Sequence, residues 1–132
     1  MVVLVTGSSK GIGYQIARDL LDQGHDLVLH CNRNKSSVED LLSAYKSNSV
    51  IIQADLSSCN DIKKLIDETT NKLSFPDCVI NNAGIAESAD ISLDIEEWDK
   101  MFDKTISVNL KAPGLIFKEF IKYKRKNKIK TR

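Results

Sequence analysis

Residues 2–13 read VVLVTGSSKGIG, an apolar run followed by a turn that contains three glycines. The run Val2–Val5 is apolar and mostly β-branched, which is typical of a strand buried on both faces of a parallel sheet. Apolar side chains then recur at Ile12, Ile16 and Leu20, a spacing that predicts a helix packed on that sheet. The stretch therefore predicts a strand, a tight turn and a helix in direct succession.

The turn has the composition of a phosphate-binding loop. Gly7 allows a sharp turn, and the missing side chains of Gly11 and Gly13 allow a pyrophosphate and the sheet to come close. The free N–H groups at the start of the helix and the helix dipole favour an anion there. We expect this loop to grip a dinucleotide, and a plain strand-to-helix turn is the alternative. The expected contacts are Gly7, Ser9, Lys10, Gly11, Ile12 and Gly13.

Strand and helix patterns alternate along the rest of the chain. Further short apolar runs occupy residues 27–29, 50–52 and 78–80, and helical spacing separates them. Ser36 and Glu39 have the spacing of a capping box. A last helix is expected to begin near Ile95, with Trp98, Met101, Phe102 and Ile106 on one side. The pattern predicts an α/β fold, a Rossmann-type parallel sheet with helices on both faces, truncated to about four strands.

Charge is distributed unevenly along the chain. The 132 residues contain 19 Lys and Arg and 18 Asp and Glu, but residues 122–132 hold seven basic residues and no acidic one. We therefore divide the chain into a dinucleotide-binding half-domain, residues 1–121, and a basic C-terminal tail, residues 122–132. Such a tail can contact nucleic acid or a membrane surface. A solvated helix end is the reading we favour, since Tyr123 is the tail's one aromatic residue for stacking on bases.

Cysteine usage and hydropathy bear on the compartment. Cys31, Cys59 and Cys78 are odd in number and lack the C-x-x-C spacing, so neither a disulfide framework nor a zinc site is expected. Isolated thiols fit a reducing cytosol, and we expect a cytoplasmic protein. The short apolar run after Met1 lacks the basic leader of a signal peptide, and no run approaches the ~20 residues of a membrane helix.

Three motifs in order resemble those of the short-chain dehydrogenase/reductase family. They are the Gly-x-x-x-Gly-x-Gly spacing from Gly7 to Gly13, the sequence NNAG at residues 81–84 after the fourth strand, and SVN at residues 107–109. The resemblance runs from residue 2 to about residue 121. Around residues 81–110 the chain looks most similar to the group of 3-oxoacyl-acyl-carrier-protein reductase and glucose dehydrogenase. The resemblance implies hydride transfer between a nicotinamide cofactor and a carbonyl or alcohol carbon.

The end of the second strand distinguishes the two nicotinamide cofactors. An acidic residue there would bind the ribose 2′-hydroxyl, whereas an Arg accommodates a 2′-phosphate. The chain has Arg33 between two asparagines and no acidic residue, and Lys10 is expected on the same side. We therefore expect NADP(H) in preference to NAD(H). The alternative is that Arg33 and Lys10 are ordinary surface charges.

By resemblance, other cofactor contacts follow the third and fourth strands. Asp55 is expected to contact the adenine amino group, with Leu56 packing nearby. A competing reading is that Asp55 is a helix cap, because residues 55–58 precede a helix, and the two roles are compatible. The ribose is expected to lie beside residues 82–84, and Asn81 is expected to tie neighbouring strands together. The ribose contacts are Asn82, Ala83 and Gly84.

The family's catalytic residues are a Ser, a Tyr, a Lys four residues after it, and an Asn in a helix that holds a relay water. Of these, the resemblance places only the Asn, as Asn109. Pro113 lacks an N–H, so the Asn109 carbonyl four residues earlier loses its helical partner and can hold a water. A simple bend at Asn109 and Pro113 is the alternative. No Tyr-x-x-x-Lys occurs in the chain, and no metal-ligand cluster has suitable spacing.

Two functional interpretations follow. In the first, the chain is the NADP(H)-binding portion of a short-chain reductase that acts on a small carbonyl or alcohol substrate. In the second, it is a truncated and catalytically inactive remnant, or a module that only binds a dinucleotide. In both, the fourth strand is an uncovered sheet edge that invites self-association. Nucleic acid and membranes are not expected as partners, and His25 and His30 are interpreted as structural.

Overall fold

The computed structural model describes residues 1–88 and 90–128, and its centre is a four-stranded parallel sheet. The strands are β1 (Val2–Val5), β2 (Asp26–Cys31), β3 (Val50–Gln53) and β4 (Cys78–Ile80). Their spatial order is β3-β2-β1-β4. Each strand pairs in parallel with its neighbour, which confirms the predicted Rossmann-type sheet.

Helices connect the strands. The helices are α1 (Gly11–Asp22), α2 (Ser36–Ser43), α3 (Cys59–Lys72), α4 (Ile95–Ile106) and α5 (Ala112–Lys126). A π-helical turn, Ser107–Lys111, joins α4 to α5 without a break. Because α5 continues to Lys126, four of the tail's basic residues extend a helix, and the last four residues of the tail lie outside the described residues. The boundary that we placed after residue 121 stays a prediction.

The core lies in two layers, one on each face of the sheet. One layer packs α1 and α2 against the sheet and includes Val5, Ala17 and Leu41. The other packs α3 and α5 against the opposite face and includes Leu65 and Ile116. The strand residues alternate between the layers, as the pleat requires. Helices on both faces of the sheet were predicted and are confirmed.

Two local predictions were wrong, and the predicted helix from Ile95 is present with its apolar side exposed. The α2 helix lacks the capping box, because the Ser36 hydroxyl donates to Asn34 Oδ1 and Glu39 pairs with Lys35 instead. Ile12 is 75% exposed, because the buried face of α1 runs through Gly13, Ala17 and Leu21 and not through Ile12. The apolar side of α4 is not packed: none of its residues is buried, and Trp98 stacks on Phe102 at 6.0 Å between ring centroids.

The topology fixes where a ligand can bind. Going outward from β1, one neighbour is β2 and the other is β4, so the chain order reverses between β1 and β4. In open α/β sheets a crevice forms at this point, beyond the carboxyl ends of the strands. The paired residues Val5, Leu29 and Ile80 bring the ends of β1, β2 and β4 together at this crevice.

Candidate functional site

The floor of the crevice is built around Thr6, the residue after β1. Thr6 is buried, and its hydroxyl donates to the Ile80 carbonyl at 3.3 Å. The same oxygen accepts the backbone N–H groups of Asn82 and Ala83, at 3.0 and 3.1 Å. One hydroxyl therefore joins the ends of β1 and β4 and fixes the start of the NNAG segment. Sequence reasoning did not single out Thr6.

The Asn82 side chain ties the strands together, the role that we predicted for Asn81. Asn82 Nδ2 donates to the carbonyls of Thr6 and Gly7, at 3.0 and 3.2 Å. Asn81 is instead exposed. The prediction was wrong by one residue because the backbone leaves the strand at Ile80, so that the second Asn faces β1.

The three loop glycines serve different steric needs. Gly7 has a φ of +68°, and a Cβ on it would lie 2.9 Å from the Ala83 Cα. A Cβ on Gly13 would lie 2.3 Å from the Gly7 carbonyl oxygen. Gly11 has a φ of +57° and no neighbour within 4 Å of such a Cβ. Gly7 and Gly13 therefore allow strand and helix to approach, and Gly11 faces open space.

The helix behind the loop offers an anion site. Lys10 is the N-cap residue of α1, and it makes no capping hydrogen bond with its side chain. The first turn of the helix contains no acidic residue. The first-turn N–H groups of a helix have no intrahelical partner, and the helix dipole adds positive potential there. This cradle fits a pyrophosphate, because Gly11 leaves the space above it empty.

His30 supports the loop from below and is buried, with 2% of its surface exposed. The Gly7 N–H donates to His30 Nδ1 at 3.0 Å, and His30 Nε2 lies 3.0 Å from the Ala54 carbonyl oxygen. Since a backbone N–H can only donate, Nδ1 must be an acceptor and Nε2 must carry the proton. Ser8 adds two bonds to the His30 carbonyl, through its N–H and its hydroxyl. His30 is structural, as predicted, and it organises the loop.

Burial lowers the pKa of His30 from its ordinary value, because a charged imidazole loses hydration in this position. The bond to Ala54 and the charge of Asp55 act in the opposite direction and are weaker. The neutral imidazole is therefore the form that the fold selects.

Two exposed cations follow neighbouring strands: Arg33 comes after β2, and Lys10 lies in the glycine loop after β1. Arg33 and Lys10 are both exposed. The Ser37 hydroxyl donates to the Ser9 carbonyl at 2.8 Å, which fastens the start of α2 to the glycine loop. Lys35 is held along α2 by Glu39 at 2.9 Å. No acidic side chain occupies residues 32–35, the position where one would bind a ribose 2′-hydroxyl.

Asp55 follows β3, and its carboxylate closes a turn. Its Oδ1 accepts the N–H and the hydroxyl of Ser57, at 2.9 and 2.8 Å. These bonds lower the pKa of Asp55, and the charges of Lys104 and Arg33 contribute less. The cap of α3 is Ser58, whose hydroxyl accepts the Asp61 N–H at 3.2 Å. Asp55 as the helix cap was the competing reading, and it was wrong, because Ser58 caps α3 and the Asp55 carboxylate bonds to Ser57.

Leu56 is buried in the layer beneath α3, next to Asp55. Lys104 of α4 forms an ion pair with Glu87, in the segment that follows β4. The side of the crevice next to Asp55 is therefore bordered by the turn after β3, by Lys104 of α4 and by the segment after β4.

Asn109 lies in the π-helical turn and clamps the segment after β4. Its Oδ1 accepts the Ile85 N–H at 2.8 Å, and its Nδ2 donates to the Ile85 carbonyl at 2.7 Å. Gly84 lies beneath the same side chain, where a Cβ would come within 3.5 Å of Oδ1. Pro113 stands in the first turn of α5, directly after the π-helical turn. The segment is thus a π-helical turn, and both the relay-water role of Asn109 and the simple bend stay predictions.

Neither a metal-binding cluster nor a membrane-spanning helix occurs in the part of the chain that the structure describes. No group of three or more His, Cys, Asp or Glu side chains there could hold a metal ion. No helix among these residues is both long enough and apolar enough to cross a membrane.

Several curated proteins are similar in sequence. Dehydrogenase/reductase SDR family member 4 of Caenorhabditis elegans is 31% identical over 121 residues, 87% of this chain and 46% of that protein. The NADPH-dependent pterin aldehyde reductase of Arabidopsis thaliana is 30% identical over 90% of this chain and 49% of its own length. The 3-oxoacyl-[acyl-carrier-protein] reductase FabG of Staphylococcus epidermidis is 30% identical over 78% and 44%. The chain spans about half the length of these relatives.

Solved structures agree in fold. A 4-hydroxyisoleucine dehydrogenase complexed with NADH matches with a TM-score of 0.85 at 28% identity, over 98% of this chain and 51% of that one. FolM alternative dihydrofolate reductase 1 from Brucella suis, in complex with NADP, matches with a TM-score of 0.78 at 28% identity, over 92% and 50%. The family model for short chain dehydrogenases matches residues 1–129. The chain therefore belongs to the short-chain dehydrogenase/reductase family of oxidoreductases.

Proposed function

We propose that the chain binds NADP(H), in preference to NAD(H), in the crevice beyond the carboxyl ends of β1, β2 and β4. The observation that supports the preference most directly is the pair of exposed cations, Arg33 and Lys10, at the tip of β2 and beside the glycine loop. An arginine binds a phosphate through two parallel N–H bonds, and a lysine adds a point charge. The NADP-bound and NADPH-dependent relatives agree with this choice, although an NADH complex is among the solved neighbours.

The parts of the dinucleotide are assigned to different walls of the crevice. The pyrophosphate lies over Gly11 and meets the first N–H groups of α1. The adenine lies against the turn after β3, beside Asp55 and Leu56. The nicotinamide ribose lies along the segment after β4. In full, the proposed contacts are Gly7, Ser9, Lys10, Gly11, Ile12, Gly13, Arg33, Asp55, Leu56, Asn82, Ala83 and Gly84.

The reaction class comes from the family. The bound cofactor supplies hydride transfer to a carbonyl carbon, or accepts a hydride from an alcohol carbon. The chain's own residues hold the dinucleotide, and Asn109 keeps the segment after β4 in place beside it. The 132 residues contain no Tyr-x-x-x-Lys, so they lack the pair in which the family's lysine assists a tyrosine as proton donor. We propose that the 132-residue chain on its own binds cofactor and does not reduce a carbonyl.

A second candidate function is a binding module or an inactive remnant. The absence of the Tyr-x-x-x-Lys pair from these residues favours it as much as it favours a cofactor-binding portion. The two differ in what happens when the rest of a family enzyme is supplied. Fusing residues 1–121 to the second half of a related reductase restores NADPH-dependent reduction if the chain is a cofactor-binding portion. A folded fusion without turnover favours the remnant.

Mutations at the tip of β2 test the cofactor assignment. Replacing Arg33 by Ala removes one bidentate phosphate contact, and we expect a roughly tenfold weaker NADPH affinity, about 1.4 kcal/mol. The affinity for NADH should stay within about twofold, because NADH lacks the 2′-phosphate. Arg125→Ala, on the exposed side of α5, is the matched control. Equal losses for NADPH and NADH would refute the role of Arg33.

The cysteines and the sheet edge bear on cellular location and on self-association. The cysteines Cys31, Cys59 and Cys78 are free thiols, and on that ground we propose a cytoplasmic location. Within the described residues β4 is the edge strand next to β1. An exposed strand edge can pair with another chain, and we propose weak self-association through it.

A further inference from the structure

One buried imidazole connects the two loops that would grip the dinucleotide. His30 stands near the end of β2, between the glycine loop after β1 and the turn after β3. Its Nδ1 accepts a hydrogen bond from the Gly7 N–H at 3.0 Å, and its Nε2–H donates to the Ala54 carbonyl at 3.0 Å. The His30 carbonyl accepts two bonds from Ser8 as well. No other side chain among the described residues bonds to both loops.

The bond from Gly7 to His30 fixes the orientation of the glycine loop. Gly7 is in the left-handed region, where its carbonyl turns toward Asn82 Nδ2 and its N–H turns toward His30. Ser8 and Ser9 continue from it to the N-cap of α1. The direction of the first free N–H groups of α1 therefore depends on how Gly7 is anchored. A shift of about 1 Å in such a cradle is enough to weaken binding markedly.

Protonation would reverse one of these bonds. A neutral imidazole accepts at Nδ1 and donates at Nε2, as the two partners require. A protonated imidazole donates at both nitrogens, so its Nδ1–H would face the Gly7 N–H. Two donors at 3.0 Å repel each other, and Gly7 would have to move away.

We propose that His30 is a positioning residue for cofactor binding: its neutral imidazole holds Gly7, and its protonation in mild acid releases the glycine loop and weakens the affinity for the dinucleotide. The proposal rests on the proposed function. It adds that a proton on His30 and the bound dinucleotide weaken each other's binding. The coupling is reciprocal, so a bound dinucleotide favours the neutral imidazole by the same factor.

The surroundings of His30 agree with a group that titrates below neutrality. From the turn after β3, Asp55 is the charged group whose field acts on it, and Arg33 and Lys104 in turn act on Asp55. The glycine loop packs against the imidazole with Gly7 and Ser8, which carry no charge. On β2 itself the adjacent thiol, Cys31, is buried in the layer under α1 and α2. Burial dominates and lowers the pKa of His30.

Two substitutions separate the two bonds. In His30→Asn, the amide oxygen can take the place of Nδ1 and accept the Gly7 N–H, but the side chain does not reach Ala54. In His30→Gln, the amide nitrogen can take the place of Nε2 and donate to Ala54, but Gly7 loses its acceptor. Neither amide titrates between pH 5 and 8.

The experiment measures NADPH and NADH dissociation constants by fluorescence between pH 5.5 and 8, in the range where circular dichroism shows each protein folded. We expect the wild-type affinity for both cofactors to fall about two- to fivefold between pH 7.5 and 5.5. NADH has no 2′-phosphate, so a fall in its affinity cannot come from protonation of that group. At pH 7.5 the affinity of His30→Asn for each cofactor should be within about threefold of the wild-type affinity. Its affinity for NADH should not fall between pH 7.5 and 5.5. His30→Gln should bind roughly tenfold more weakly at every pH.

The outcomes are distinguishable. Equal pH profiles for the wild type and His30→Asn would overturn the role of His30 and leave cofactor binding intact. No binding by the wild type at pH 7.5 would overturn the proposed function and this proposal together. If His30→Asn does not fold, imidazole ¹⁵N NMR of the wild type decides. We expect saturating NADPH to lower the pKa of His30 by at least about half a unit, and an unchanged pKa overturns the proposal.

Discussion

Asn109 holds Ile85 by both of its backbone groups: Oδ1 accepts the Ile85 N–H at 2.8 Å, and Nδ2 donates to the Ile85 carbonyl at 2.7 Å. This pairing joins the π-helical turn to the segment that leaves β4. An amide is the one side chain of this size that can do both, since a carboxylate cannot donate and a hydroxyl cannot reach both groups. The requirement explains an Asn here without any catalytic step.

We expect Asn109→Asp to be less stable than the wild type, because the carboxylate keeps the bond to the Ile85 N–H but faces the Ile85 carbonyl without a proton. The expected loss is about 1–2 kcal/mol in the free energy of unfolding, measured by urea denaturation at pH 7. Asn71→Asp is the control, because Asn71 lies exposed on α3, away from this contact. Equal stability of Asn109→Asp and wild type would contradict the clamp.

Alanine variants of the three loop glycines should lose different amounts of stability. Gly11→Ala carries only the strain of a positive φ, and we expect a loss of about 1 kcal/mol. Gly7→Ala adds a collision with the Ala83 backbone, and Gly13→Ala places a methyl group against the Gly7 carbonyl. Both should lose at least about twice as much stability as Gly11→Ala, or fail to fold.

Gly114→Ala is the control for these glycines. It lies in α5 with no atom within 4 Å of its would-be Cβ, so alanine should raise stability by up to about 1 kcal/mol. Urea midpoints of the four variants check the order. A Gly13→Ala protein as stable as Gly11→Ala would contradict the close approach of α1 to β1.

Stability should fall in mild acid because of His30. Its pKa is lowered in the folded chain, so the unfolded chain, with a pKa near 6.5, takes up the proton first. Stability is therefore fully present above about pH 6.5 and is lost as the pH falls from there toward the lower folded pKa, with a slope of up to about 1.4 kcal/mol per pH unit.

Urea unfolding at pH 5 to 8 measures this slope, and His30→Asn is the comparison. The variant should lose that part of the pH dependence. Asp55 acts at lower pH: its pKa is lowered too, so its contribution is lost only as the pH falls below its unfolded value near 3.8. An identical slope for wild type and His30→Asn between pH 5 and 6.5 would count against a neutral, buried His30.

The 132-residue chain should not oxidise NADPH in the presence of an acetoacetyl thioester or a simple ketone. The reason is chemical, since no Tyr-x-x-x-Lys pair is present to donate the proton. Absorbance at 340 nm follows the reaction, with a full-length family reductase as the positive control. Robust, substrate-dependent oxidation by the purified chain would show that another group donates the proton.

Self-association should depend on concentration. The edge of β4 carries unpaired backbone groups within the described part of the chain, and such edges pair with one another. We expect sedimentation velocity to show a rising weight-average mass from about 5 to 200 µM. A single monomeric boundary across that range, together with cooperative unfolding, would contradict the proposal.

The sequence predicted the sheet well because buried parallel strands have a simple signature. The apolar runs at Val2–Val5 and Cys78–Ile80 coincide with β1 and β4. For β2 the prediction stopped at residue 29, because His30 is polar although it is buried. The position of His30 directly after an apolar run could have shown that it belongs to the strand and forms hydrogen bonds, since a buried imidazole needs a partner.

Other features depended on tertiary structure. The capping box at Ser36 and Glu39 was wrong because Lys35 and Asn34 provide nearer partners. The π-helical turn at Ser107–Lys111 has no pattern of its own, although Pro113 marked a disturbed helix. The apolar side of α4 was recognised as a face, but periodicity does not tell whether a face is covered.

The central claim is that Arg33 and Lys10 select a dinucleotide with a 2′-phosphate. The direct measurement is the pair of dissociation constants for NADPH and NADH, by fluorescence titration of the purified chain at pH 7.5 and about 50 mM salt, where screening of exposed charges is weak. We expect NADPH to bind at least about tenfold more tightly than NADH. Equal affinities, or tighter binding of NADH, would contradict it.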